Sequence, residues 1–293
     1  MKQKNLEPVA ALAAQYKRLR GLYLLCLAAA VLALVCYFVN PTAALAVLAA
    51  SLAGYAAVVR PASKRYERAF IHTCAQYTLE RSLQDAVHTG EPVLAAEELY
   101  GVRLVAANRS KGGILLREGG QGTYHGRRVR LGDAVFAHSF PVEDKTHHEL
   151  ISGSWVTVEL ERDTGLDWRL IHRKVMLKPS REEMYREDGD MRRLVGIKEP
   201  WLSDSEEWDV FCPKDRLCMP ETPFLKALER LSKQTEKPLA VCVLGDRLHV
   251  FVTNRILGQK VSSRLEPGAA IAQVDLLPEL GGILKASDAL MEG

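Results

Sequence analysis

The feature that most constrains this chain is the stretch from Gly21 to Val59, which contains no Asp, Glu, Lys, Arg or His. One triplet, Asn40-Pro41-Thr42, divides it into apolar runs at 21–39 and 43–59. As helices these runs would be roughly 28 and 25 Å long, close to the ~30 Å hydrocarbon core of a bilayer. Because the proline lacks an N–H and disfavours helical geometry at the residue before it, the triplet predicts the tip of a transmembrane helical hairpin.

Two other interpretations of this stretch have specific sequence requirements. A helix pair buried in a soluble core would have to enclose the whole charge-free segment. A cleaved signal peptide would fit the small residues of "ALAVLAASLA", but such a peptide has a short basic start and one apolar core of about 7–15 residues. Here a polar leader, residues 1–20, precedes two membrane-length runs, which favours the hairpin.

Basic residues set the expected orientation, because positive charge resists translocation. The loop between the two runs carries no basic residue. We therefore expect a multi-pass protein of the bacterial inner membrane with both termini cytoplasmic and the Asn40-Pro41 tip on the far side. The flanking basic residues are Lys17, Arg18 and Arg20 before the first run, and Arg60, Lys64, Arg65 and Arg68 after the second.

The remainder of the chain predicts an α+β protein with a mainly antiparallel sheet. We expect a cytosolic leader at 1–20, the hairpin at 21–59, an amphipathic connecting helix at 60–92 and a cytosolic α+β domain at 93–293. The net charge of +3 is too small to indicate a nucleic-acid partner. Six scattered cysteines show no disulfide framework, as expected for a reducing cytosol.

The spacing of apolar residues and the positions of turn-forming residues predict the individual helices and strands. Residues 62–88 lack Gly and Pro and repeat apolar side chains at helical spacing, which predicts a helix. From about 100 to 178 the period becomes two, and "RDTGLD" predicts a turn that makes 155–177 a hairpin. The predicted strands are Gly101–Ala107, Ile114–Arg117, Thr123–Leu131, Ala134–Phe140, Trp155–Glu161 and Trp168–Leu177.

The last third alternates irregular and regular segments. Residues 181–209 are acidic and indicate a surface excursion with one short helix around Arg181–Leu194. After the short strand "WDVFCP", the segment "TPFLKALERL" predicts a helix with a Thr N-cap and a buried stripe. "PLAVCVLGDRLHVFVTN" predicts a hairpin whose apolar first arm suits a central strand. A final helix is expected at about 270–291, broken near Pro278 and Gly281–Gly282.

Two short motifs resemble catalytic or nucleotide-binding motifs but are better explained as a turn and a loop. "DTG" at Asp163–Gly165 resembles the aspartic-protease triplet, yet it occurs once and follows charged residues, so a turn is favoured. "GGQGTYHG" lacks the dinucleotide-binding fingerprint, because His125 stands where that fingerprint has a glycine. The segment also leads into a strand, whereas phosphate binding uses the N-terminus of a helix. We expect a flexible loop there.

Metal and nucleophile patterns are also weak. His138, with the adjacent His147 and His148, invites a metal interpretation, but neighbouring side chains on an extended chain point in opposite directions. Cys212 and Cys218 lack a second pair at ligand spacing. We expect no metal and no cofactor.

A basic segment supplies the candidate binding residues. Residues 101–130 carry seven basic residues and one acidic residue, which is typical of a solvated face and also suits an anionic leaflet. The candidates are Tyr124, His125, Arg127, Arg128 and Arg130.

Three segments carry a resemblance to a known family: "YHGRRVRLGDAVFAH", "WDVFCPKDRLCMPETPFLKAL" and "LAVCVLGDRLHVFV". In the order of these three segments, the chain resembles an uncharacterised bacterial membrane family, numbered thirty-one thirty-seven among domains of unknown function. The resemblance covers most of 60–260. It implies a pair of membrane spans, a long helix and a β-rich region, with no activity and no catalytic residues. At 151–160 the family often shows an aromatic-Lys-Gly-Leu-Phe segment, whereas this chain has "ISGSWVTVEL".

Two functions of different classes follow from these features. The first is a non-enzymatic module, a two-span anchor that displays an α+β domain to a protein partner, a second copy or the lipid bilayer. The second is a membrane-tethered enzyme or small-ligand sensor with a site around Tyr124, His125, Arg127 and His138. A cleft that gathers those groups would favour the second function, and their dispersal would favour the first.

Overall fold

A computed structural model describes residues 6–109, 112–187, 189–195, 197, 199–203, 207–215, 217–235, 237–253, 267–268, 271 and 274–292. The chain divides into two compact units. One comprises Met1–Tyr77 with Lys260–Val274, and the other comprises Thr78–Gln259 with Asp275–Gly293. Each unit is described by itself.

The first unit contains the predicted helix pair. Helix α1 spans Leu6–Tyr37 and α2 spans Pro41–Gly54, followed by a π-helical turn at Tyr55–Val59 and by α3 at Arg60–Ser82, whose residues from Thr78 onward belong to the second unit. Helix α1 thus begins inside the expected leader, and the second apolar run continues without a break into the expected connecting helix.

The Asn-Pro-Thr triplet forms the turn between α1 and α2, as predicted. Asn40 adopts an extended conformation, and its side-chain oxygen accepts hydrogen bonds from the backbone N–H groups of Thr42 (3.1 Å) and Ala43 (3.2 Å). Pro41 occupies the start of α2, where its missing N–H costs nothing. The two helices then run back along each other, with Ser51 hydrogen-bonded to the carbonyl of Cys26.

The second unit is built on one nine-stranded sheet in which every described strand pair is antiparallel. The strand order is β1-β2-β3-β4-β9-β8-β5-β7-β6. The α+β class and the antiparallel sheet are confirmed. The strands are β1 Gln84–Thr89, β2 Ile114–Tyr124, β3 Arg127–Val142, β4 Lys145–Glu159, β5 Asp167–His172, β6 Met191–Arg193, β7 Trp208–Pro213, β8 Leu239–Leu244 and β9 Arg247–Val252.

Helices cover both faces of this sheet. On one face, α7 and α8 pack beside each other, and Phe224 of α7 meets Trp168 of β5 edge-on. On the other face, a core of Phe136, Trp155 and Phe251 packs with apolar side chains of α4 and α5. The remaining helices are α4 Ala96–Val102, α5 Lys178–Glu187, α6 Pro200–Ser203, α7 Thr222–Gln234 and α8 Glu279–Glu292.

Two predictions of local structure near α3 were wrong. The helix predicted for 62–88 ends at Ser82, and the residues after it form β1 on the edge of the sheet. Gly101–Ala107, predicted as a strand, instead contains the end of α4 and irregular backbone. Helical spacing continues past Ser82 in the sequence, so the pairing of Gln84–Thr89 with β2 decided the structure there. In Gly101–Ala107, whose spacing is strand-like, burial of Leu104, Val105 and Ala106 in the core decided it.

The glycine-rich segment predicted as a flexible loop is also corrected. Residues 119–124 belong to β2, and His125 and Gly126, both at positive φ (49° and 81°), make the two-residue turn into β3. A Cβ at Gly122 would lie 2.9 Å from both the Gln84 carbonyl oxygen and Leu83 Cβ. Glycine is required here because β1 approaches β2 too closely for a side chain.

The hairpin predicted for 155–177 does not form, although its turn does. Asp163 Oδ1 accepts the Gly165 N–H at 2.7 Å, and Gly165 has a φ of +66°. The strands on either side are nevertheless not neighbours, since β9 and β8 lie between β4 and β5 in the sheet.

The closing elements follow the sequence more closely. The hairpin β8–β9 turns at Gly245–Asp246, and β8 is a central strand with partners on both sides, as predicted. Helix α7 buries Phe224, Leu225, Leu228 and Leu231, although Glu221 rather than Thr222 is its N-cap. Helix α8 contains the two glycines that we expected to break it. In the excursion at 181–209, the helix lies at Lys178–Glu187, and β6 adds an edge strand.

Candidate functional site

Three of the five candidate residues converge on one carboxylate of α8. The Tyr124 hydroxyl donates to Asp288 Oδ2 at 2.8 Å, His125 Nδ1 lies 3.2 Å from Oδ1, and the Arg127 guanidinium also binds Oδ1. Arg127 further donates to Ser287 Oγ at 3.2 Å. The geometry follows from the β2–β3 turn, which places Tyr124 and Arg127 opposite each other in register.

The electrostatics of this cluster stabilise one protonation state. Burial, together with the hydrogen bond to Asp288, raises the pKa of Tyr124 to about 12. Burial would raise the pKa of Asp288, but hydrogen bonds from Tyr124, Arg127 and His125 outweigh it and lower that pKa. Tyr124 is therefore neutral and Asp288 charged near neutral pH, so the cluster fastens the β2–β3 turn to α8.

The other two candidates lie on the opposite face of β3, because side chains alternate along a strand. Arg130 makes a bidentate ion pair with Glu98 of α4, with both distances 2.8 Å. Arg247 joins the same carboxylate at 3.3 Å, whereas Arg128, which is exposed, donates to Gln121 Oε1 at 3.2 Å. Of the three clustered arginines, Arg127 and Arg130 thus form ion pairs with carboxylates of this chain, and Arg128 faces solvent.

His138 is far from the Tyr124 cluster. It is eleven residues from Arg127 along β3, which at ~3.3 Å per residue is about 36 Å, and it projects from the other face. Its Nδ1 lies 2.6 Å from Ser180 Oγ, and its Nε2 lies 3.7 Å from Glu183.

The contact of Ser180, His138 and Glu183 has the composition of a nucleophile triad, which residue spacing did not predict. A nucleophile must reach its substrate. Ser180 is fully buried, and the small cavity of about 130 Å³ beside His138 is not lined by the serine. In this conformation the three residues tie α5 to β3.

The remaining candidate metal ligands have other partners. His148 Nδ1 lies 2.8 Å from Ser139 Oγ, and the His147 ring stacks on Phe140. Among the described residues, no three His, Cys, Asp or Glu side chains gather in a way that would hold a metal ion.

A second polar cluster, which sequence reasoning missed, surrounds Asp209 on β7. This carboxylate is buried and takes ion pairs from Arg173 (Nε, 3.1 Å), Arg181 (Nε, 2.8 Å) and Arg193 (2.7 Å). The available signal was the single acid inside the apolar strand "WDVFCP", because a buried carboxylate requires partners. Its partners lie up to 36 residues away in sequence and could not be identified from spacing.

No protein-family model and no curated protein matches this sequence. Among solved structures, one match is the crystal structure of the mycobacterial trehalose monomycolate transport factor A, TtfA. The two chains are 12% identical, the match covers 71% of this chain and 95% of that one, and the TM-score is 0.34.

Proposed function

We propose that this chain is an integral protein of the bacterial inner membrane, anchored by the hairpin at 21–59. Both flanks of the hairpin lie in the cytoplasm, and the α+β unit serves there as a non-enzymatic module for a protein partner or the inner leaflet. Kinship with the uncharacterised family numbered thirty-one thirty-seven is part of this proposal and rests on the three segments named above.

The observation that carries the proposal is the exposure of the apolar helices. Two helices, Pro8–Tyr37 and Pro41–Ser82, are long and apolar enough to cross a membrane, and only 11% of each apolar window is buried. A core helix of a soluble protein would be mostly buried. Most of the exposed large apolar side chains in the described chain fall between Tyr23 and Val58, and a surface of this kind requires lipid or a partner.

The basic flanks support the orientation. Arg18, which precedes the first apolar run, and Arg65, which follows the second, line one cavity with Leu19 and Tyr66. The two basic flanks therefore meet at the same end of the hairpin, opposite the Asn40 turn. Retention of positive charge on the cytoplasmic side then gives one orientation for both.

The candidate residues support a binding module more than an enzyme. Tyr124, His125 and Arg127 hold α8, while His138 lies at the other end of the strand and on the opposite face. An apolar patch is available for a partner instead. Leu115 and Leu150, which are 56% and 75% exposed, flank β3 through their register with Val135 and Ala137.

Protease protection tests the topology. The full-length protein carries different epitope tags at its two ends and is expressed in a bacterium. We expect added protease to spare both tags in spheroplasts and to remove both in inverted membrane vesicles. Loss of the carboxy-terminal tag in intact spheroplasts would reject the proposal, and a periplasmic tagged protein serves as the control for protease activity.

A further inference from the structure

The arginines around Asp209 line a cavity of about 570 Å³. The side chains come from the segment after β5, from α5 and from strands β6 and β7. Those that the argument uses are Arg173, Lys178, Arg181, Tyr185, Arg193 and Asp209.

Among the described residues that line this cavity, positive charges outnumber negative ones. Within the described part of the chain, Asp209 is the carboxylate that pairs with all three arginines. The remaining pair, Lys178 with Glu182 at 3.7 Å, is neutral. Three guanidinium groups around one carboxylate leave an excess of two positive charges, which a dianion would neutralise.

The arginines are also held in place before any ligand arrives. Arg181 donates from one terminal nitrogen to the backbone carbonyls of Arg173 (2.8 Å) and Met176 (3.3 Å), while its Nε binds Asp209. Arg173 uses its Nε for Asp209, so its two terminal nitrogens are not part of that ion pair. Arginines fixed in this way offer paired N–H groups of the kind that bind phosphate oxygens.

Aromatic and apolar side chains also line the cavity. The Tyr185 ring stacks on Phe211 with centroids 3.4 Å apart and planes 15° apart, and Met191 lines the same cavity. A ligand that combines a dianionic head with a planar or apolar group would contact both parts of the cavity.

We propose that this cavity binds a phosphomonoester, with its phosphate against Arg173, Arg193 and Lys178 and its organic group against Tyr185 and Phe211. The proposal goes beyond membrane anchoring and does not depend on it. The phosphate belongs either to a soluble ligand or to a lipid headgroup.

Calorimetric titration of the full-length protein in phosphatidylcholine nanodiscs tests the site, with phenyl phosphate and inorganic phosphate as probes. We expect phenyl phosphate to bind more tightly than inorganic phosphate because it also contacts the aromatic and apolar side chains. R193Q should weaken phenyl phosphate binding by about tenfold or more, the usual effect of losing one charge-assisted hydrogen bond. R192Q is the matched control, since Arg192 is exposed on the same strand and is not among the cavity's lining residues.

A second variant separates ligand binding from folding. K178Q removes a charge from the rim without touching Asp209, because Lys178 is 76% exposed and pairs with Glu182. We expect weaker binding with an unchanged melting temperature in the absence of ligand. Absence of phenyl phosphate binding to the wild type, or equal affinities for wild type, K178Q, R193Q and R192Q, would overturn the proposal.

The source of the phosphate is assigned by adding phosphatidic acid to the nanodiscs. Competition with phenyl phosphate in the wild type identifies a lipid headgroup as a ligand. Unchanged affinity identifies a soluble phosphomonoester. Phosphatidylglycerol, a diester of similar charge per lipid, controls for a general effect of anionic lipid.

Discussion

At the scale of single residues, the sheet interior contains one histidine whose charge is strongly disfavoured. His249 is 1% exposed, and its Nδ1 lies within hydrogen-bonding distance of Trp155 Nε1 (3.3 Å) and Thr157 Oγ1 (3.2 Å). Burial lowers its pKa to about 4, against the opposing attraction of Glu98. His249 is therefore neutral in the folded protein at physiological pH and accepts a hydrogen bond from Trp155.

This histidine makes folding stability depend on pH. Between pH 6.5 and 4 the unfolded chain binds a proton that the folded chain does not, so acid favours unfolding. We expect the free energy of unfolding to fall by about 2 kcal/mol between pH 7.5 and pH 5 from this residue. H249Q, which keeps an acceptor for Trp155, should remove most of that difference.

Urea unfolding followed by tryptophan fluorescence measures the effect, because all four tryptophans lie after residue 150 and report on the α+β unit. H147Q, at an exposed position, is the control and should retain the wild-type pH dependence. An H249Q variant as sensitive to pH as the wild type would contradict the assignment.

At the scale of elements, sequence patterns identified structure where the stabilising contacts are local. The Asn40-Pro41 turn, the buried stripe of α7 and the β8–β9 hairpin each depend on residues within a few positions of one another. The pairing of β4 with β9, and the placement of β9 and β8 between β4 and β5, depend on residues nearly a hundred positions apart. Alternation shows that a strand forms but not which strand it joins.

The candidate site was predictable to the same extent. Tyr124, His125 and Arg127 lie within four positions around one turn, so their proximity follows from sequence. Their common partner Asp288 lies more than 160 residues later and gave no signal. The arginines around Asp209 come from three different elements, so that cavity could be found only in three dimensions.

The contact between β1 and β2 provides a test at this scale. G122A would place a Cβ 2.9 Å from the Gln84 carbonyl oxygen and Leu83 Cβ, and backbone cannot move away as a side chain can. We expect the free energy of unfolding to fall by roughly 1–3 kcal/mol. G90A is the matched control, because a Cβ there meets no atom within 4 Å, and its stability should stay within about 0.5 kcal/mol of the wild type. Equal stability of the two variants in urea would show that β1 can shift.

At the scale of the whole molecule, the proposal divides the chain between two solvents. The α+β unit buries large aromatic side chains such as Trp155 and Trp168, and its buried Arg181 and Asp209 form an ion pair, as in a domain surrounded by water. The helix pair does the reverse, leaving leucine and valine exposed along its length. Lipid around residues 21–59 accounts for both patterns. In a bilayer, the free-energy cost of inserting a charged side chain depends on how deep in the hydrocarbon core it lies.

Lysine substitutions at two depths test that dependence. V31K/L32K places two charges near the middle of the first run, where each costs roughly 3 kcal/mol in a bilayer. Y23K/L24K places them near its basic end, where long side chains reach the interface. All four positions are exposed to a similar degree, between 42% and 57%. Tyr23 also contacts the Tyr55 ring and Ser63, so loss of helix packing would weaken the terminal variant and cannot explain greater extraction of the central one. We expect alkaline carbonate to extract the central variant from membranes far more than the terminal one. Equal extraction of both variants would mean that a protein surface, and not lipid, covers these helices. The free-energy cost of a buried lysine would then not depend on its position along the helix.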